Sequence, residues 1–121
     1  MILKDRKILQ ARATEVIEVR TDAGFHLHLT EGLSLEYSGE MFLTVGREGD
    51  ESARPLSGLS AGQLTALISA RPLSWVVFND GDQRIVFSNR WFLESRVRPG
   101  ETWRLVLGGG AVLTHPPAPG Q

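Results

Sequence analysis

The sequence predicts an α+β domain that is mostly antiparallel β. Two β-meanders form a small bent sheet, roll or barrel, with one short helix near residues 61–70. Three observations carry that prediction. Apolar and polar residues alternate with the two-residue period of strands in both halves of the chain. Loops of three residues ending in glycine, Asp22-Ala23-Gly24 and Thr30-Glu31-Gly32, join three such runs. Between the halves, Ser60-Ala61-Gly62-Gln63 has the form of a capping box ahead of an apolar stripe.

The chain of 121 residues fits one domain, drawn over residues 1–114, with "HPPAPGQ" (115–121) as a disordered proline-rich tail. Hydrophobic residues at 41% supply a real core. A formal net charge of −1 provides no bulk drive toward nucleic acid or an anionic membrane. The absence of cysteine excludes disulfides, thiolate metal sites and cysteine nucleophiles. Lys4, Asp5, Arg6 and Lys7 interrupt any leader-like apolar run, and no stretch approaches ~18 consecutive apolar residues. The expected location is the cytoplasm, with no membrane partner.

The elements follow in order. Residues 8–20 read as one long strand, with Leu9, Ala11, Ala13, Ile17 and Val19 on one side and a bulge near Thr14 and Glu15. The two glycine loops then fix a register. Val19 falls opposite Leu27 and Leu27 opposite Leu35. Ile17, Leu29 and Leu33 make a second row, and Thr21, Phe25 and Tyr37 a third. Ser38-Gly39 turns into a fourth strand, "EMFLTV", and "GREGDESARPLSG" reads as a surface loop. Leu59 and Leu64 have hydrophobic-staple spacing around the capping box. Leu64, Leu67 and Ile68 make one apolar stripe on the helix, which Pro72 stops. "LSWVVF" and "QRIVFS" flank Asn79-Asp80-Gly81-Asp82, a strong hairpin signal. "WFLESRV", "TWRLVL" and "AVLT" complete the second meander.

The register places His26 between Arg20 and Glu36, and His28 between Glu18 and Ser34, all on the polar face of the first meander. Such a face is either solvated or a site of two histidines and a carboxylate, suited to zinc or non-haem iron. His-x-His on a strand, followed by a glutamate and a glycine (here His26, His28, Glu31 and Gly39), resembles the first motif of the cupins, which are metal-binding β-barrels. The resemblance implies a barrel holding zinc or iron. It covers about fifteen residues. The glutamate comes one or two positions early, and Arg98-Pro99-Gly100 is followed by Glu101-Thr102-Trp103 where a cupin has a histidine.

In the second half, Arg84, Arg90, Arg96, Arg98 and Arg104 outnumber Glu94 and Glu101, with Trp91, Phe92 and Trp103 interleaved. Arginine and tryptophan are enriched at protein interfaces. The leading expectation is a non-catalytic binding or assembly module without a cofactor, using these eight arginine and aromatic residues against a protein partner or a second copy of itself. The alternative is a zinc or iron site at His26 and His28 with Glu18 or Glu36. A third reading is single-stranded nucleic acid on the same arginines and aromatics. Walker, dinucleotide, serine-elbow, His-Glu-x-x-His and EF-hand motifs are all missing. The triple glycine 108–110 lacks the helix and lysine of a phosphate loop.

Overall fold

The computed structural model describes residues 6–45 and 53–116. The strands are β1 (Arg6–Ile8), β2 (Val16–Arg20), β3 (Phe25–Leu29), β4 (Ser34–Tyr37), β5 (Met41–Val45), β6 (Arg54–Pro55), β7 (Pro72–Phe78), β8 (Gln83–Phe87), β9 (Trp91–Ser95), β10 (Trp103–Val106) and β11 (Val112–His115), with helix α1 at Ala61–Leu64. They form a six-stranded sheet in the order β1-β7-β8-β9-β5-β6 and a five-stranded sheet in the order β11-β10-β4-β3-β2, every ladder antiparallel. The two sheets stay separate and do not close into a barrel. Among the described residues, no helix is long and apolar enough to cross a membrane.

One core lies between the sheets. Leu27, Leu35 and Leu105 from the five-stranded sheet join Leu43, Trp75, Ile85 and Leu93 from the six-stranded sheet. β7 fixes how the sheets cross. Just before its start, Val16 of β2 donates its N–H to Ala70 O and accepts the Ser69 N–H. At its end, Val77 and Phe78 border Leu113, Thr114 and His115 of β11. The strand therefore runs over the five-stranded sheet from one edge to the other, as in crossed sheet packing.

The register of the first meander follows its loops except in the row of Leu29, which pairs with Val16 and not with the expected Ile17. Val19 pairs with Leu27, Leu27 with Leu35 and Phe25 with Tyr37. Gly24 has φ +81, and a Cβ there would collide with the Tyr37 carbonyl, so this loop requires glycine.

Several expectations are corrected. Residues 8–20 are not one strand. β1 joins the six-stranded sheet, and the chain then turns at Ala11, whose carbonyl accepts the Thr14 N–H (3.0 Å) and hydroxyl (2.7 Å) before β2 enters the other sheet. The bulge falls between Val16 and Glu18, not at Thr14 and Glu15. It buries Val16 (1% exposed) and turns Ile17 outward (59% exposed). Helix α1 stops at Leu64 and continues as a 3-10 turn at Thr65–Leu67, so the helical segment is shorter than 61–70. Ile68 is already extended and Ser69 has φ +71, because this stretch must offer its backbone to β2. The capping box is present: Ser60 Oγ accepts the Gln63 N–H, and Gln63 Oε1 accepts the Ser60 N–H.

The second meander divides. β7, β8 and β9 stay in one sheet, while β10 and β11 extend the first meander in the other. His115, drawn into the tail, is the last residue of β11. Residues 117–121 of that tail and 46–52 of the central loop lie outside the described residues. The rest of the loop contributes β6 and the fully buried Leu56.

Candidate functional site

Register assigns every outward side chain, and the two outer faces differ in character. On the five-stranded sheet one row reads Arg20, His26, Glu36, Arg104, Thr114, and the next reads Glu18, His28, Ser34, Val106, Val112. This is largely the polar alternation of a wet sheet face. On the six-stranded sheet one row reads Ile8, Val76, Arg84, Glu94, Phe42, Pro55, and the next reads Ser74, Val86, Phe92, Thr44. Phe78 lies beside Arg6 at the end of that face. Val76, Val86, Phe92 and Phe42 therefore make an apolar surround to the central Arg84–Glu94 pair, although the core is on the other side.

A charged stitch runs through this apolar face. Glu94 lies 3.8 Å from Arg84 and 3.4 Å from Arg96. The Arg96 guanidinium sits 5.0 Å above the Phe42 ring, and that of Arg84 5.9 Å from Phe78. Among the described residues, three arginines (6, 84 and 96) share the face with one glutamate. The Arg84 and Arg96 guanidinium groups share the Glu94 carboxylate and each meets an aromatic ring, while remaining half-buried or exposed.

The expected partner-binding residues are thus only partly assembled. Arg84, Phe92 and Arg96 meet on the six-stranded face. Trp91 projects the other way and packs at the margin of the core. Arg90 occupies a turn with φ +71, and Arg98 sits in the Pro99-Gly100 turn. Trp103 is 6% exposed and donates Nε1–H to Gly81 O (2.6 Å), and Arg104 is on the opposite sheet. Sequence reasoning passed over Ile8, Phe42, Val76 and Val86. Their signal was present: "WVVF", "IVF", "WFL" and "MFL" are apolar at both parities, the pattern of strands covered on both faces.

The expected metal residues share the polar face. His28 Nε2 approaches Glu18 Oε1 at 3.9 Å, while His26 Nε2 is 2.8 Å from Ala23 O, and Glu36 pairs with His26 by register. Among the described residues, no three potential ligands are grouped to hold one ion.

A second polar centre lies at the corner where both sheets turn. The Tyr37 hydroxyl donates to Glu101 Oε1 (2.7 Å), which also accepts the Arg98 N–H (2.8 Å). The Arg98 N–H and the Tyr37 hydroxyl hold the Glu101 carboxyl below its usual range, while burial and Glu101 push the Tyr37 phenol up. Burial raises Asp82, partly offset by the Val97 N–H that its Oδ1 accepts (2.7 Å). His115 stacks on Trp103 with centroids 6.0 Å apart, over Gly81. A groove of about 450 Å³ passes His26, Glu36, Trp103, Arg104 and His115. Tyrosine kept protonated and glutamate kept ionised are a structural clasp; neither is poised for proton transfer near neutrality.

No family model matches this chain, and no curated protein or solved structure matches it.

Proposed function

We propose that this domain is a non-catalytic binding module that docks a protein partner on the outer face of its six-stranded sheet. One observation carries the reading: Val76, Val86, Phe92 and Phe42 put apolar side chains on the outer face around the Arg84–Glu94 pair, while only the inner face meets the core. Phe42, Phe92 and Val86 are half-buried in the free domain, and docking gains roughly 25 cal/mol for each Å² of their remaining apolar surface that a partner covers. Arginines beside aromatics match the composition of interface centres. Self-pairing of this face would set its arginine excess against itself, so a distinct partner with an acidic rim fits better than a second copy.

Single-stranded nucleic acid has weaker support. Base stacking needs open ring faces, and guanidinium groups already cover Phe42 and Phe78. A zinc or iron site has support only from the closeness of His28 and Glu18.

The test is the variant Val86→Ser/Phe92→Ser. Its outward side chains leave the core intact, so it keeps the native fold and loses the partner retained by wild-type protein in affinity chromatography. Retention of the same partner by a folded double variant would refute the proposal.

A further inference from the structure

The edges of the two sheets are not treated alike. Unpaired strand edges invite another chain, and proteins blunt them with short strands, charge, proline, bulges or a covering segment. β1 has three residues, two of them charged, and β6 is Arg54–Pro55. β2 carries a bulge and meets the backbone of Ser69 and Ala70. β11, with the sequence Val-Leu-Thr-His, is also short at four residues, but carries no lysine, arginine, proline or bulge within them. Among the described residues it pairs only with β10.

Ladder alternation defines what that edge offers. The Leu107 N–H donates to Ala111 O (2.8 Å). With Leu105 opposite Leu113 and Trp103 opposite His115, residues 111, 113 and 115 bond to β10. Val112 and Thr114 therefore turn N–H and C=O outward. Beside them, a cleft of about 310 Å³ opens between the sheets, lined by Val77, Phe78, Trp103 and Leu113, with Lys7 at its rim. The cleft can receive an inward apolar side chain of an added strand.

Charge selects the occupant. The cleft lining contains a lysine and a histidine and no acid. On the outer face, Arg104 stands beside Thr114, so a residue added opposite Thr114 lies roughly 10 Å from Arg104, two strand spacings, within reach of two long side chains. A second copy of β11 brings no acid to either position.

We infer that β11 is a strand-addition site for an extended peptide segment that alternates apolar residues facing the cleft with acidic residues on the outer face, beside Arg104. The site is independent of the six-stranded face.

The test uses isotope-labelled protein and two capped heptapeptides, one alternating glutamate with valine, the other lysine with valine. The glutamate peptide is expected to shift the Val112 and Thr114 amides and the Trp103 indole saturably, at least tenfold more tightly than the lysine peptide. Thr114→Pro removes an outward N–H, a change edge strands tolerate, and is expected to abolish binding. If that variant loses the native Trp103 indole signal, a glutamate peptide N-methylated on its bonding amides replaces it and is expected not to bind. No saturable binding, equal binding of both peptides, or shifts centred elsewhere overturns the inference. So does a wild-type dimer that Thr114→Pro converts to monomer, because β11 would then serve a second copy.

Discussion

Trp75 and Gln83 offer the sharpest quantitative test of how the six-stranded sheet is built. Trp75 is fully buried, and its indole N–H donates to Gln83 Oε1 at 2.7 Å; the Gln83 N–H continues to Ser95 Oγ at 2.7 Å. The side-chain pair bridges β7 and β8 beneath the proposed docking face. In Gln83→Leu the indole N–H is left without a partner in a dry core, costing about 1–3 kcal/mol. In Trp75→Phe the amide oxygen is stranded and volume is lost, a penalty of about 2–4 kcal/mol. The double variant strands neither group, so its cost falls below the sum by about 1–2 kcal/mol. At roughly 2.1 cal/mol/K per residue, each kcal/mol moves the midpoint of a domain this size by about 4 °C. Calorimetry and urea titration of the four proteins measure the coupling. Additivity within about 0.5 kcal/mol would show that Trp75 and Gln83 do not depend on one another, because independent sites behave that way.

Three further predictions concern the corner. Tyr37→Phe should cost about 1–2 kcal/mol at pH 7, since a charge-assisted hydrogen bond is lost near solvent. Glu101 has a lowered carboxyl, so its contribution is present above its unfolded value of 4.5 and disappears as pH falls through the folded value; the wild-type advantage should shrink below about pH 4, and a gap unchanged by acid would contradict this. Asp82 is raised, the opposite sign, so its contribution is complete below the unfolded value of 3.8 and is lost as pH rises through the folded one. Asp82→Asn keeps an oxygen for Val97 and removes that loss, so it should equal or exceed wild type at pH 7 in urea denaturation; a clear destabilisation would count against burial as the cause. Gly81→Ala forces a side chain to φ +96 with its Cβ 2.6 Å from the His115 ring, and should cost about 1–3 kcal/mol and alter the near-ultraviolet dichroism of Trp103. An unchanged spectrum would show that His115 does not depend on Gly81.

Local signals in the sequence carried the fold a long way. The glycine at 24 and the loop at residues 30–32 fixed three strands in register, down to His26 opposite Glu36, because a one-residue slip would expose every leucine. The Ser60 and Gln63 cap marked the start of the helix to the residue. Choices made by distant packing were not legible. Pro99-Gly100 predicts a turn but not that β10 leaves the sheet of β9 to pair with β4. Ile17 is apolar and β-branched like Val16, and only the bulge decides which is buried. Trp103 has the composition of a contact residue, yet its partner, the Gly81 carbonyl, comes from a hairpin 22 residues away. The apolar outer face could be read from double parity in "WVVF", but only pairing shows which half of that run faces the core.

The most direct measurement of the central claim is site-specific photocrosslinking in the native extract. A benzophenone side chain replaces Phe92 on the apolar face or, in a second protein, Glu36 on the polar face. One discrete protein adduct is expected from position 92 and none from position 36. Adducts of equal yield from both positions, or from position 36 alone, would contradict it.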